Sequence, residues 1–205
     1  MPTSVSASEI RATYRRIREE VGEGVTVVAA TKYASLDDME LLAEAGVEVV
    51  GENRAQDLVA KHARFGDAFR WHFIGHLQSR KANDVSELCE LVHSLSSLSA
   101  AKRLTVPALV EVNLAGEETK SGLPAEALPA FLDEARMLGV EVRGLMTMPP
   151  LADDPEASRP YFRQLRELAG QHGLQELSMG TSQDYRVAVE EGATLVRVGA
   201  VLFDR

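Results

Sequence analysis

The 205-residue chain has 22 Lys and Arg against 31 Asp and Glu, a formal net charge of −9, and 45% hydrophobic residues. This is the composition of an ordinary globular protein, and the negative balance argues against a general nucleic-acid or anionic-membrane surface, because both attract basic patches. One cysteine, Cys89, excludes an intramolecular disulfide and a cysteine metal cluster. No stretch approaches the roughly 20 apolar residues of a membrane helix, and the N-terminus lacks a signal-peptide layout. The sequence predicts a cytoplasmic protein.

The predicted elements begin with an amphipathic helix over residues 6–21, for which Ser8 is a candidate N-cap. Short apolar runs rich in branched residues then recur at 25–31, 48–50, 70–74, 91–92, 108–114, 142–148, 176–179 and 195–203. Helix-like segments lie between most of them, at 36–45, 53–64, 79–89, 125–138, 159–171 and 183–191. Ser35 and Gly46 are the expected start and stop of the second helix.

Eight strands alternating with helices predict a parallel sheet covered on both faces, and hence an α/β protein with a single (β/α)8 TIM barrel. The alternative is an open doubly wound sheet. At 205 residues the barrel is near the lower size limit. Its fourth unit is short, because "SLSSLSAAKRLT" (94–105) has room for only a brief helix. We expect residues 1–205 to form one domain, with residues 1–24 packing on the barrel.

Polar residues gather where the predicted strands end, which is where barrel enzymes place their active sites. Lys32 closes the first strand, so we expect its stem to lie in a low-dielectric environment. Desolvation favours the neutral amine, which can form a Schiff base with a carbonyl. The alternative is a solvated lysine that caps the strand.

The seventh and eighth strands end in candidate anion-binding loops. Gly180, Thr181 and Ser182 directly precede a predicted helix, and "RVGA" (197–200) follows on the neighbouring strand. An imine-forming lysine beside a phosphate site points to an aldehyde phosphate, of which pyridoxal 5′-phosphate (PLP) is the obvious example. An ordinary Ser/Thr helix cap is the alternative for the first loop. Arg197 either faces such a cofactor or pairs with an acid such as Glu52.

Two further features have weaker interpretations. His72 and His76 share one face of a strand, but no Asp, Glu or Cys completes a metal site with them, so no metal is predicted. The polar loop "GEETKSG" (116–122) follows the fifth strand and is a candidate lid.

Several blocks together resemble the PLP homeostasis proteins, the YggS-like family. The resemblance runs in order from about residue 25 to residue 203 through "ATK", "GENRAQ", "WHFIGHLQSRK", "VHS", "VNLAGEETKSG", "GLMTM", "LSMGTSQDYRVAVEEGATLVRVG" and the final "LF". It implies a barrel similar to the N-terminal domain of alanine racemase. It also implies a function in cofactor homeostasis and delivery, and in amino-acid and keto-acid balance, without an established catalytic turnover.

The resemblance also implies roles for individual residues. Lys32 would hold PLP as an internal aldimine, and Arg197 would lie by the pyridine nitrogen. The phosphate would be held by Thr181, Ser182, Gly199 and Ala200. The remaining residues implied to line the cofactor are Asn53, His76, Met146 and Ser178. Tyr33 and Ala200 stand where the family often has threonine.

Two other functions remain open alongside a PLP carrier. A PLP-dependent amino-acid racemase needs an acid and a base on opposite faces of the substrate, and the chain offers no evident partner for Lys32. A class I aldolase would use the lysine without a cofactor, but it usually places that lysine on a later strand. For the carrier we expect a monomer that meets PLP-dependent apo-enzymes transiently and binds neither nucleic acid nor membrane.

Overall fold

The computed structural model describes residues 5–117 and 121–203, in which eight parallel strands form a closed barrel. The strands are β1 (Thr26–Ala30), β2 (Val49–Glu52), β3 (Arg70–Phe73), β4 (Leu91–Leu95), β5 (Ala108–Glu111), β6 (Val142–Met146), β7 (Glu176–Ser178) and β8 (Leu195–Val198). Each strand pairs with its sequence neighbours, and β8 returns to β1. The predicted (β/α)8 TIM barrel is therefore confirmed, and the open doubly wound sheet is wrong because β8 pairs with β1 and closes the sheet.

Helices follow the strands and cover the outside of the barrel. They are α1 (Ala7–Val21), α2 (Leu36–Ala45), α3 (Ala55–Phe65), α4 (Ala82–Leu88), α5 (Leu98–Ala101), α6 (Leu128–Met137), α7 (Arg159–Gln171), α8 (Tyr185–Glu190) and α9 (Ala200–Phe203). Within the described residues, none of these helices is long and apolar enough to cross a membrane.

The N-cap of the first helix lies two residues before the predicted one. Ser6, not Ser8, is the N-cap of α1, and it forms a capping box with Glu9. The Glu9 carboxylate accepts the Ser6 amide at 2.8 Å, a bond that Ser8 could not form with a partner three residues on because Arg11 stands there. The predicted Ser35 cap and Gly46 stop of α2 are both confirmed.

Side-chain alternation divides the barrel into an outer apolar layer and an inner column. Strand residues such as Val27, Trp71 and Val196 pack beneath the helices. The residues between them point inward, where a small apolar cluster is formed by Val28, Val49, Leu91, Leu109, Met146 and Leu195. Five inward strand positions are instead polar and buried, at His72, His93, Glu111, Ser178 and Arg197. The barrel interior is therefore unusually polar for a packed core.

The fourth βα unit is short, as predicted, because α5 has only four residues. The pairing of β4 with β5 shifts register between Val92 and Leu95, yet β4 still pairs with both of its neighbours. The shortened unit therefore does not open the barrel wall. The candidate lid at 116–122 includes residues 118–120, which lie outside the described residues, and it stays a prediction.

Candidate functional site

The carboxyl ends of the strands surround a cavity of about 730 Å³. This volume is in the range of small-molecule sites. Nine of the ten predicted site residues line it, namely Lys32, Asn53, His76, Met146, Thr181, Ser182, Arg197, Gly199 and Ala200. Met146 and Arg197 lie on β6 and β8, and the others lie in the segments that follow β1, β2, β3, β7 and β8. This is expected for a barrel whose chemistry lies at the carboxyl face.

Lys32 lies at the rim of this cavity, and its side chain is exposed. Its Nζ is 4.7 Å from the centroid of the Tyr33 ring. A hydrogen bond from Lys32, together with its charge, lowers the pKa of Tyr33. The expectation of a desolvated lysine stem is therefore wrong. The reason is that β1 ends at Ala30 and Thr31 is the last buried residue, so the following turn carries Lys32 out to the rim.

A buried ion pair anchors the backbone directly before Lys32. Lys61 on α3 contacts the Glu52 carboxylate at 2.5 Å and donates to the Thr31 carbonyl at 2.7 Å. The Thr31 hydroxyl donates to the same carboxylate oxygen. Sequence reasoning missed this network. The available signal was that Lys61 lies on the buried face of α3, in register with Ala55 and Leu58, where an apolar residue is expected.

Arg197 lies at the floor of the cavity, with its guanidinium buried in the barrel interior. It donates to the Thr147 carbonyl at 3.0 Å, to Met148 Sδ at 2.8 Å and to the Ser178 hydroxyl. Burial lowers the pKa of Arg197 to about 10, against the opposing charges of Asp184 and Glu111. The group therefore remains a cation at neutral pH. The alternative pairing of Arg197 with Glu52 is wrong, because Lys61 occupies that carboxylate.

Ser178 is the one predicted site residue that does not line the cavity. It is fully buried beneath Arg197, where its hydroxyl accepts a guanidinium N–H and lies 2.8 Å from His93 Nδ1. Its position at the end of β7 was predicted, but its side chain points into the barrel interior. Ser178 therefore contacts Arg197 from beneath the cavity floor and is not part of the cavity lining.

The loop after β7 supplies fewer free donors than its sequence suggests. The Thr181 amide and hydroxyl both donate to Asp184 Oδ1, at 2.7 and 3.0 Å, so the expectation that Thr181 offers free donors is wrong. Ser182 Oγ accepts the Gly199 amide at 3.1 Å, which leaves the hydroxyl proton free to point elsewhere. Among the described residues, the Ser182 and Gln183 amides find no acceptor. The Ser182 hydroxyl and these two amides are donors available to an anion.

Glu111 is a cavity residue that sequence reasoning did not select. It ends β5 at an inward position, two residues after Leu109, and accepts the Ser121 hydroxyl at 2.7 Å. Burial raises the pKa of this carboxyl, against the Ser121 hydrogen bond and the charges of Arg197 and His76. Glu111 could have been predicted, because it is an acidic residue at an inward-facing position at the end of a strand.

Comparison with known proteins now places this geometry in a family. The family model "Alanine racemase, N-terminal domain" matches residues 5–204. A pyridoxal phosphate homeostasis protein of Aquifex aeolicus is 38% identical, over 90% of this chain and 90% of its own. One from Deinococcus radiodurans is 39% identical, over 97% of this chain and 100% of its own. The chain belongs to the pyridoxal phosphate homeostasis proteins, within the alanine racemase N-terminal-domain family.

A solved relative shares the architecture. The structure of PipY from Synechococcus elongatus with PLP bound superposes with a TM-score of 0.85 at 33% identity, covering 95% of this chain and 99% of PipY. The predicted family resemblance and the alanine racemase type of barrel are thereby confirmed. The likeness to racemases is one of domain type, and it does not assign racemase activity to this chain.

We predict that Lys61→Met lowers the free energy of unfolding by about 3–5 kcal/mol, because it leaves the buried Glu52 carboxylate without its cation. Denaturant unfolding measures this loss. The double substitution Glu52→Gln with Lys61→Met is expected to regain most of it. The matched control is Lys81→Met, which breaks a half-buried pair with Asp84 at the molecular surface and costs under about 1 kcal/mol. Equal losses for the two lysine variants would contradict the prediction.

Proposed function

We propose that the protein binds PLP in the carboxyl-face cavity, holds it through a covalent imine bond to Lys32 Nζ, and acts in PLP homeostasis and delivery and in amino-acid and keto-acid balance. The observation that carries this proposal is that one cavity is lined by a primary amine, a buried guanidinium and unpaired backbone amides. PLP needs these three kinds of group for its aldehyde, its pyridine ring and its phosphate. When bound, PLP supplies an aldehyde that forms imines with amines and a ring that withdraws electrons.

The relatives support this choice of cofactor. Those from Aquifex aeolicus and Deinococcus radiodurans carry the name pyridoxal phosphate homeostasis protein, and the PipY structure contains PLP. Each aligns over nine tenths or more of this chain. Neither a name nor a bound PLP identifies the residue that makes the covalent bond, so the assignment to Lys32 rests on its place in the cavity.

The phosphate is assigned to the loops after β7 and β8. The Ser182 hydroxyl, whose oxygen already accepts the Gly199 amide, directs its proton outward toward the anion. The Ser182 and Ala200 amides are the other donors assigned to the phosphate. Thr181 lines the cavity, but its own donors are bound to Asp184. A side chain at residue 199 would place Cβ 3.2 Å from the Ala30 carbonyl, so glycine permits the close approach of β8 to β1 there.

Arg197 is assigned to the pyridine nitrogen. A guanidinium donates a hydrogen bond but keeps its proton at neutral pH, so the ring nitrogen stays unprotonated and the ring is a weak electron sink. Asn53, His76 and Met146 complete the surroundings of the cofactor. This arrangement suits holding PLP better than stabilising a carbanion.

A carrier is favoured over a racemase for a geometric reason. Racemisation needs an acid and a base on opposite faces of the substrate. Among the described residues, Tyr33 is the tyrosine that lines the cavity, and it lies on the same turn as Lys32. A carrier of this kind would be a cytoplasmic monomer that meets PLP-dependent apo-enzymes transiently.

We predict that Lys32→Ala abolishes the visible imine absorption of the protein with PLP but leaves weaker binding through the phosphate site. Absorption spectroscopy and equilibrium dialysis measure the two properties separately. Lys102→Ala, which removes an exposed lysine at the end of α5, is the matched control and should retain the band. An imine band that persists in Lys32→Ala would assign the bond to another lysine.

A second prediction concerns the phosphate. Ser182→Ala should weaken PLP binding by roughly 10–100-fold, because it removes a hydrogen bond to a charged group worth about 1.5–3 kcal/mol. Pyridoxal, which lacks the phosphate, is the control ligand, and its affinity should change little. Equal losses for both ligands would show that the substitution damages the site generally and would remove Ser182 from the phosphate contacts.

A further inference from the structure

A chain of hydrogen bonds runs through the polar interior of the barrel, from its amino-terminal mouth to Arg197. Glu90 Oε1 lies 2.9 Å from His72 Nε2, and His72 Nδ1 lies 2.9 Å from His93 Nε2. His93 Nδ1 lies 2.8 Å from Ser178 Oγ, which accepts from Arg197. The two histidines are buried, whereas the Glu90 side chain is 41% exposed. The chain therefore links solvent at one mouth to the cavity at the other.

The two ends of this chain fix its direction. A carboxylate only accepts hydrogen bonds and a guanidinium only donates them. With neutral imidazole rings, one assignment satisfies every link. Arg197 donates to Ser178, Ser178 donates to His93 Nδ1, His93 Nε2–H donates to His72 Nδ1, and His72 Nε2–H donates to Glu90. Both histidines must then carry their proton on Nε2.

The charges around the chain support this assignment. The hydrogen bond from His72 and the neighbouring Arg70 outweigh partial burial and lower the pKa of Glu90 to about 2, so its carboxylate is ionised. Burial lowers the pKa of His93 well below its usual range, and the nearby Arg197 cation acts in the same direction, so the His93 ring is neutral. Glu90, His72 and His93 contact each other one after the other. Among the residues that the structure describes, no three metal-ligating side chains converge on one point.

The far end of the chain opens into a second cavity of about 470 Å³ at the amino-terminal mouth. His72 and Glu90 line it together with Arg70, Arg143 and Glu176. Arg70 pairs with Glu90 at 2.7 Å. The carboxylate therefore contacts one exposed cation, Arg70, and one buried ring, His72. A change in charge at Glu90 is therefore felt first at His72.

We propose that Glu90, His72, His93 and Ser178 are positioning residues for Arg197, and that the charge at the amino-terminal mouth is transmitted through them to the cofactor cavity. Hydrogen bonds aligned in one direction polarise each other, so the Glu90 carboxylate strengthens the acceptor that Ser178 presents to Arg197. The existence and direction of the chain do not depend on the cofactor. Its effect on PLP rests on the proposed function.

The direction of the chain is tested on the protein without cofactor. Long-range proton–nitrogen NMR of ¹⁵N-histidine-labelled protein distinguishes a protonated ring nitrogen from an unprotonated one. On both His72 and His93, the direction of the hydrogen bonds predicts a proton on Nε2 and none on Nδ1. A proton on Nδ1 of either ring would overturn the proposal.

The same spectra test whether the mouth and the chain are coupled. Glu90→Gln keeps the shape of the side chain but removes its charge, and it should shift the His93 ring nitrogens although one ring separates the two residues. Glu141→Gln is the matched control, because it removes a carboxylate at the same mouth that pairs with Arg143 and not with the chain. Equal shifts at His93 from both variants would show that any lost charge at this mouth has the same effect, and would contradict coupling through the hydrogen-bond chain.

The effect on the cofactor is measured as the pH midpoint of the visible imine band in a double-mutant cycle. Glu90→Gln should shift the midpoint in the otherwise unchanged protein but not in a Ser178→Ala background, where the chain is cut. Glu141→Gln should shift neither. A Glu90→Gln shift that persists in Ser178→Ala would show that the coupling acts through space and would overturn the proposal. Absence of any imine band in the unchanged protein would instead contradict the proposed function. The NMR result would still establish or overturn the direction of the hydrogen-bond chain.

Discussion

The burial of the Arg197 guanidinium inside the barrel is the constraint on which the rest of the site depends. A buried cation is tolerated only when its donors find acceptors. Arg197 finds the Thr147 carbonyl, the Met148 thioether and the Ser178 hydroxyl, none of which is charged. Ser178 directs its hydroxyl proton to His93 Nδ1 in a hydrogen bond, so its oxygen lone pairs face Arg197 and accept from it. The buried polar residues His72, His93 and Ser178 thus keep Arg197 at the cavity floor.

The two cations of the cavity are held in different ways. Lys61 neutralises Glu52 directly beneath the turn of Lys32, which leaves the Lys32 ammonium without a carboxylate partner among the described residues. Arg197 likewise has no carboxylate in contact within that part of the chain. Two cations without a contacting carboxylate favour an anion in the cavity, although the chain carries a net charge of −9. Such a field suits an anionic aldehyde phosphate, and the acidic remainder of the surface discourages polyanions.

The alternation of apolar runs with amphipathic segments was sufficient to predict the barrel and the edge where the site lies. Lys32 and Arg197 could be found because each is a cation at the end of an apolar strand. The missed features depend on contacts between elements that periodicity does not encode. The exposure of Lys32 follows from a turn, the loss of Thr181 as a donor follows from Asp184 three residues on, and the Glu52–Lys61 pair joins β2 to α3. Ser178 was placed correctly on β7, but its support of Arg197 depends on neighbouring strands.

The central claim is that Lys32 is the amine that holds PLP. The most direct measurement is borohydride reduction of the protein mixed with PLP, followed by mass mapping of the modified peptide. The account predicts one stable pyridoxyl adduct, on the peptide that contains Lys32. A label scattered over surface lysines, or no label at all, would contradict it and would leave Lys32 as a solvated lysine at the end of a barrel strand.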